Sequence, residues 1–340
     1  MNNLTKFRYR LLSRVTWGNK KRKYLQKLQN DESKEATLLR MIGEIEQKKL
    51  NLLTSRLDAI QARNDAVYNE MMNFNKNYWL AFEEKMRVHI AASAAHAQIF
   101  APYKNCCAGK DAAIVATGPT LNFYRQMKNC VHIGCNKAFL SENVTLDYIF
   151  VQDYLFTKPY LDKLGDGKYK SVKKFYGILP QFAPDTLSAI QDVNIPEDTR
   201  LKHGAERYYI TQEPCSNQKS IDFCLFTFDL AHAPFEDIGS TVFSAAQFAA
   251  WTRPARLFIV GCDCTSGHYD DNVFIHDLDF LIPRWAQFKR FMRTYYPDTE
   301  IVSVNPVGLK GMFRDVYTEA YLNEHPEIDR AAVEILKEKD

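Results

Sequence analysis

Two short turns in this chain of 340 residues combine the residue types that hold anions and move protons. The first is Thr117-Gly118-Pro119-Thr120-Leu121-Asn122, which follows an apolar, β-branched run. Gly118 permits a tight turn and close approach of a ligand, while Pro119 and Thr120 suit the start of a helix. N–H groups at a helix start face a positive end, so this turn is expected to cradle a phosphate; a purely structural turn is the competing reading. It is neither GxGxxG nor GxxxxGK[ST], which removes the dinucleotide fingerprint and the Walker loop. The second turn runs from Gly261 through Asp263, Thr265 and His268 to Tyr269, with His276 beyond it. A loop histidine titrates near neutrality and can act as a general base; His276 is the candidate and His268 its local competitor. Between the two turns lie Cys135-Asn136-Lys137 and Gln152-Asp153-Tyr154. Asn136 can hydrogen-bond a base or ribose, or cap a helix, and Lys137 can neutralise phosphate charge. Asp153 and Asp263 each follow an apolar run, where an unpaired buried charge is costly. They are expected to hold ribose hydroxyls, a metal with its phosphates, or the neighbouring loops. Gly239-Ser240-Thr241 opens a further helix and offers a second set of N–H groups.

The elements that must position these residues alternate between strands and helices, the pattern of an α/β fold with a parallel sheet. Strands are expected at Ala112–Thr117, Val131–Cys135, Tyr148–Gln152, Lys174–Ile178, Leu257–Gly261 and Glu300–Val304. Amphipathic helical segments are expected at Leu121–Lys128, Pro159–Leu164, Thr241–Trp251 and Phe280–Tyr295. The fold class is therefore a Rossmann-like parallel sheet with helices on both faces, preceded by a long helical N-terminal region. Ligands of such sheets bind outside the carboxyl ends of the strands, where the residues named above fall. Four segments follow: a basic amphipathic arm at 1–30, a helical region at 31–103, the Rossmann-like nucleotide-binding domain at 104–312, and a helical tail at 313–340. Residues 180–235, with scattered prolines and aromatics, read as a lid or insert.

The arm holds nine Lys and Arg and no acidic residue, whereas the remainder carries 35 basic against 41 acidic groups. A basic arm on a mildly acidic body excludes nucleic acid as the body's partner. Leu4, Phe7, Leu11 and Val15 are helically spaced among arginines, which suits either an anionic membrane surface or docking on the protein itself. In the helical region Leu53, Leu57, Ile60, Asn64, Val67, Met71, Phe74 and Tyr78 step by 4 and 3, a coiled-coil seam with one polar position. Leu38, Ile42 and Ile45 keep the step in another phase. A helical hairpin, a homo-oligomerising coiled coil and a helix docked on the body all fit this pattern. The eight cysteines form no CxxC motif and read as reduced thiols of a cytoplasmic protein. Zinc is the weaker reading, because Cys262, Cys264 and His268 lack a fourth ligand. No run approaches the roughly 20 apolar residues of a membrane span, and the start of the chain has no apolar signal core.

Taken in order, the runs at 109–121, Gly-Cys-Asn at 134–136, Asp-Tyr-Ile-Phe-Val-Gln-Asp at 147–153, the Gly-Ser-Thr helix at 239–250 and Leu-Phe-Ile-Val-Gly-Cys-Asp at 257–263 carry a resemblance. Together they resemble the superfamily that joins bacterial sialyltransferases of glycosyltransferase family 42 to MptE-like 6-hydroxymethylpterin diphosphokinase domains. Those domains also occur in motility-associated flagellin glycosyltransferases. The resemblance spans about residues 108–310. It implies a transferase whose Gly118, Thr120 and Asn136 contact a cytidine nucleotide, with Ser240 and Gly261 lining the same cleft, and Thr117 and Pro119 are expected at that nucleotide site as the rest of the turn. It implies that His276 takes the acceptor proton and that Tyr269 steadies the departing phosphate, with Thr265 standing where a second tyrosine is usual. The basic residue expected just before the Gly-Ser helix is replaced by Glu236 and Asp237. The function so implied is transfer from a nucleotide-activated sugar, CMP-linked and acidic, to a glycan or glycoconjugate, without a required cofactor. The alternatives are an ATP- and Mg²⁺-dependent diphosphokinase, with the metal on Asp153 and Asp263, and a non-catalytic nucleotide-binding scaffold. The expected location is the cytoplasm, peripheral to the inner membrane face.

Overall fold

The computed structural model of the chain describes residues 33–152, 154–178, 194–212, 226–237, 239–270 and 278–336. The basic arm, Asp153 and His276 lie outside the described residues. The chain divides into two units between Tyr78 and Trp79, and of the first the described residues are 33–78. The first helix, α1, spans Ser33–Phe100 without interruption, so a helical hairpin is excluded. No proline falls within it and Gly43 is its only glycine, which leaves nothing to break the backbone ladder.

The second unit is built on a nine-stranded sheet, parallel throughout. Its strands are β1 (Asp111–Val115), β2 (Cys130–Cys135), β3 (Tyr148–Val151), β4 (Lys173–Ile178), β5 (Glu206–Gln212), β6 (Phe235–Asp237), β7 (Arg256–Val260), β8 (Glu300–Val304) and β9 (Arg314–Val316). Their spatial order is β6-β5-β4-β3-β2-β1-β7-β8-β9. The chain thus builds outward from β1 in one direction, then crosses back to place β7 on its other side. Open α/β sheets bind ligands outside the carboxyl ends of the strands at such a reversal, which here falls between β1 and β7.

Strands covered on both faces must be apolar at successive positions. In β1, Ala112 and Ile114 enter one core while Ala113 and Val115 enter the other; in β3, Phe150 opposes Ile149 and Val151. The first core is aromatic, with Phe100, Phe150, Phe175, Tyr208, Phe235 and Phe248 in mutual ring contact. It receives α4 (Val242–Thr252), every residue of which is buried. That helix is apolar or small apart from Gln247, whose buried amide is bonded to the main chain of Thr227, Glu236 and Phe243. The other described helices are α2 (Tyr154–Leu161), α3 (Glu197–Lys202), α5 (Ile282–Tyr295) and α6 (Glu319–Glu324).

Several expectations are corrected. The segment expected to be helical at Leu121–Lys128 forms only a 3-10 turn at Pro119–Phe123. Within the expected lid or insert at 180–235, residues 206–212 form β5 and a further strand, β6, begins at Phe235, and the tail contains β9 and a bridge from Tyr317 to Ile335 besides α6. The two units divide at 78/79, within α1. The cause is the last turns of α1, which bury in the sheet unit. There His96 and Phe100 have no exposed surface, and the Trp251 indole N–H donates to the Phe100 carbonyl at 2.8 Å.

Candidate functional site

The loops that follow β1, β2, β3 and β7 are tied together at the carboxyl ends of the strands. The link from β7 to β1 is Asp263, which is 3% exposed. Its Oδ2 accepts from the Thr120 amide at 2.8 Å, and its Oδ1 accepts from the Thr120 hydroxyl. Burial raises its pKa, and the two Thr120 bonds pull the other way. The Gly118 amide donates to the Gly261 carbonyl at 2.8 Å, and Leu121 N to the Gly118 carbonyl at 3.0 Å. Pro119 has no amide hydrogen. The N–H groups of 118, 120 and 121 are therefore all bonded within the protein, which corrects the expectation of a phosphate cradle there. The anion held at this 3-10 helix start is the protein's own carboxylate. Of the three roles expected for Asp263, holding the neighbouring loops is the one its geometry fulfils. Gly118 is required for that closeness: a Cβ there would lie 2.5 Å from Asp263 Oδ2 and 2.7 Å from the Gly261 carbonyl.

Asp263→Ala leaves the buried Thr120 hydroxyl and amide without their acceptor. Each such loss costs about 1–3 kcal/mol, so a drop of about 3 kcal/mol is expected in urea unfolding, with Asp263→Asn less affected. An unchanged midpoint in Asp263→Ala would show that the carboxylate does not join the loops.

The post-β7 loop continues across the strand ends. Tyr269 N donates to the Thr117 carbonyl at 2.9 Å, and its hydroxyl donates to the Lys137 carbonyl at 2.9 Å. Burial first, then the charge of Asp270, pushes this phenol upward, so it stays protonated and bonded to the post-β2 turn. Lys137 is itself nearly buried, with Nζ 2.9 Å from both Asp270 oxygens. The half-buried His268 bonds the Thr117 main chain; burial and the Lys137 charge lower its pKa, and Asp270 partly offsets them. A neutral imidazole is the form able to accept a proton. Thr265 is half-buried in the same loop, and Gly261, at φ +66°, makes the turn that starts it.

A second set of contacts joins β2 and β3 to the start of α4. Asn136 adopts φ +45° and opens a 3-10 turn at Asn136–Leu140. Its Nδ2 donates to Thr241 Oγ1 at 3.1 Å, and its Oδ1 accepts from Gln152 N at 3.1 Å. Thr241 Oγ1 donates to Gln152 Oε1 at 3.0 Å, and Gln152 Nε2 donates to Ser244 Oγ at 2.9 Å. The chain of amides and hydroxyls fixes the α4 start against the strand ends. Gly239, at φ +80°, precedes it, and the Arg284 guanidinium packs where a Cβ on Gly239 would be. Arg284 is 6% exposed, belongs to the first turn of α5 and lies 4.9 Å from the Phe280 ring. The half-buried Ser240 stands at the same helix start, its Oγ 3.4 Å from the Val242 amide.

Thr117, Gly118, Pro119, Thr120, Asn136, Lys137, Ser240, Gly261, Asp263, Thr265 and Tyr269 thus sit along the strand-end edge. Asn305, after β8, is bonded instead to Thr318, at 2.8 Å and 3.0 Å. Two residues escaped the sequence reading: Gln152, whose amide closes the network, and Arg284, which brings a cation to the Gly-Ser helix where Glu236 and Asp237 stand in sequence. Arg284 did leave a signal, since a cation in the first turn opposes the helix dipole and calls for a tertiary reason. The six described cysteines carry no disulfide, and Cys135 is pushed up to about 12 by burial.

Comparison with known proteins gives no matching family model and no matching curated protein. Solved structures with a similar course of the chain include the MAf glycosyltransferase of Magnetospirillum magneticum AMB-1, at 13% identity and TM-score 0.38, over 68% of this chain and 38% of that one. This chain therefore spans about two fifths of that protein's length. They also include the sialyltransferase CstII of Campylobacter jejuni in complex with CMP-3FNeuAc, at 10% identity and TM-score 0.31, over 67% and 86%. A tyrosine-to-phenylalanine variant of the sialyltransferase Cst-II in complex with CMP matches at 12% identity and TM-score 0.30, over 57% and 80%. Among the described residues no helix is long and apolar enough to cross a membrane.

Proposed function

We propose that this chain is a glycosyltransferase that takes an acidic sugar from a CMP-linked donor and passes it to a hydroxyl of a glycan or glycoconjugate. The observation that carries the reading is the reversal of strand order between β1 and β7, with the post-β1, post-β2 and post-β7 loops hydrogen-bonded together and the post-β2 and post-β3 residues bonded to the start of α4. The order of motifs that resembles the sialyltransferase superfamily falls on those loops. In this reading the donor phosphate sits at Gly239-Ser240-Thr241 beside Arg284, and Asn136 addresses the nucleoside. The 117–120 turn shapes the wall through Asp263 instead of gripping phosphate. His276 removes the acceptor proton as the acceptor oxygen bonds the anomeric carbon. The bond from that carbon to the phosphate oxygen breaks, and CMP departs with the electron pair. Arg284 and the positive end of α4 meet the charge that develops on the leaving group, so the chemistry requires no metal. Tyr269 keeps the post-β7 loop in place. For the diphosphokinase alternative, Asp263 is 3% exposed and each of its oxygens already accepts from Thr120, which favours a loop-holding role over a metal-holding one.

The test is transfer and donor hydrolysis over a panel of CMP-sugars, with and without a chelator. His276→Ala is expected to lose about 10²–10⁴-fold in rate, the range for a general base. His268→Gln separates the competitor, and full activity in His276→Ala with loss in His268→Gln transfers the role. Binding of ATP only with Mg²⁺, and none of CMP, would overturn the glycosyltransferase reading.

A further inference from the structure

Within the first unit, every residue of α1 from 46 to 73 is exposed. Along that stretch Leu50, Leu53, Leu57, Ile60, Val67 and Met71 stand 48–66% exposed on one stripe. They alternate in steps of three and four, and the sequence carries the same step on to Phe74 and Tyr78. An average repeat of 3.5 residues differs from the 3.6 of a straight helix, so a single helix cannot keep this stripe against a flat neighbour. A left-handed supercoil keeps it facing another copy of the same stripe. We propose that residues 50–78 form a parallel, in-register, two-stranded coiled coil with a second copy of this chain.

Three features bear on that occupant and geometry. In heptad terms Leu50, Leu57, Asn64 and Met71 are a positions, and Leu53, Ile60 and Val67 are d positions. In a parallel, in-register pair Asn64 meets Asn64 of the second copy, and the two amides bond each other. In an antiparallel pair a faces d, so each Asn64 amide would meet Ile60 or Val67 and lose its partner. Charge gives the second feature. The g and following e positions pair Arg56 with Gln61, Arg63 with Tyr68 and Glu70 with Asn75, which sets no like charges together. Antiparallel pairing instead faces g with g, where Arg56, Arg63 and Glu70 lie, so the charges permit the parallel pair and Asn64 is what selects it. Third, Leu57 at a with Ile60 at d favours larger bundles, but those bury e and g, where the two arginines would be desolvated. Two strands leave them wet.

Light scattering on the full chain is expected to give twice 39.3 kDa. Leu57→Glu combined with Ile60→Glu is expected to halve that mass, with the melting of the sheet unit unchanged. On mild oxidation Leu57→Cys is expected to form a disulfide-linked dimer, whereas Ser55→Cys, on the outer face, and the wild type do not. A monomeric wild type overturns the proposal and leaves residues 1–30 or another protein as the cover of the stripe. A four-chain mass overturns the two-stranded form, and a dimeric Leu57→Cys that fails to cross-link overturns the parallel one.

Discussion

Replacing Arg284 with alanine is expected to lower turnover of a CMP-linked donor by about 10²–10³-fold, the loss typical when one preorganised donor to a developing negative charge is removed. The effect is large because this guanidinium is nearly buried, packed against Gly239 at the start of α4 and 4.9 Å from the Phe280 ring. A cation so held meets little solvent screening and needs no reorganisation as phosphate charge builds. Arg284→Lys should recover only part of the loss, since an ammonium lacks the planar fork that bonds two phosphate oxygens. The fall should appear mainly in kcat if the contact tightens at the transition state, and in CMP affinity if it is uniform. Thermal melts of both variants separate a fold defect from a site defect. A folded Arg284→Ala with wild-type kcat and CMP affinity would remove the anion from this end of α4.

Acidification between about pH 6.5 and pH 4 is expected to weaken the sheet unit by about 3 kcal/mol through His96 alone. Its Nδ1 donates to the Ala233 carbonyl at 2.9 Å and its Nε2 accepts from the Tyr209 amide at 2.9 Å. This fixes a neutral imidazole, because a second ring proton would face an N–H. Burial lowers the pKa from 6.5 to about 4, against smaller opposing bonds to the Ala233 and Leu230 main chain. The unfolded chain then binds the extra proton through that window while the folded chain does not. Stability is therefore present above pH 6.5 and lost as pH falls toward 4. Burial lowers His132 and His203 as well, so they act in the same direction. Urea midpoints at the two ends of the window should show the loss, and His96→Gln, which cannot gain the proton, should flatten it. Equal slopes in wild type and His96→Gln would place the acid sensitivity elsewhere.

The pattern of residues made the sheet legible where strands were long and apolar. Glu300–Val304 agrees at both ends, and the other five expected strands differ by one or two residues. Three strands were missed for physical reasons. Phe235–Asp237 and Arg314–Val316 are three residues each with charged members, too short to establish a period. Glu206–Gln212 opens on two charged residues and two tyrosines in a row, with no period-two alternation, in a segment that reads as a loop beside its prolines. At the site, the residue types after each strand were legible, but their partners were not. Nothing local to Thr120 says that a carboxylate 143 positions later will occupy its amide. The cation beside Gly239 likewise arrives from α5, through packing that only the crossover after β7 brings about.

The complete burial of α4 has a consequence for slow solvent exchange. A helix without a wet face has no shallow route by which single amides reach deuterium, so its protons exchange only when the whole sheet unit opens. Val242–Thr252 would then report global stability directly, and a nucleotide seated at its first turn would slow deuterium uptake along all eleven residues together.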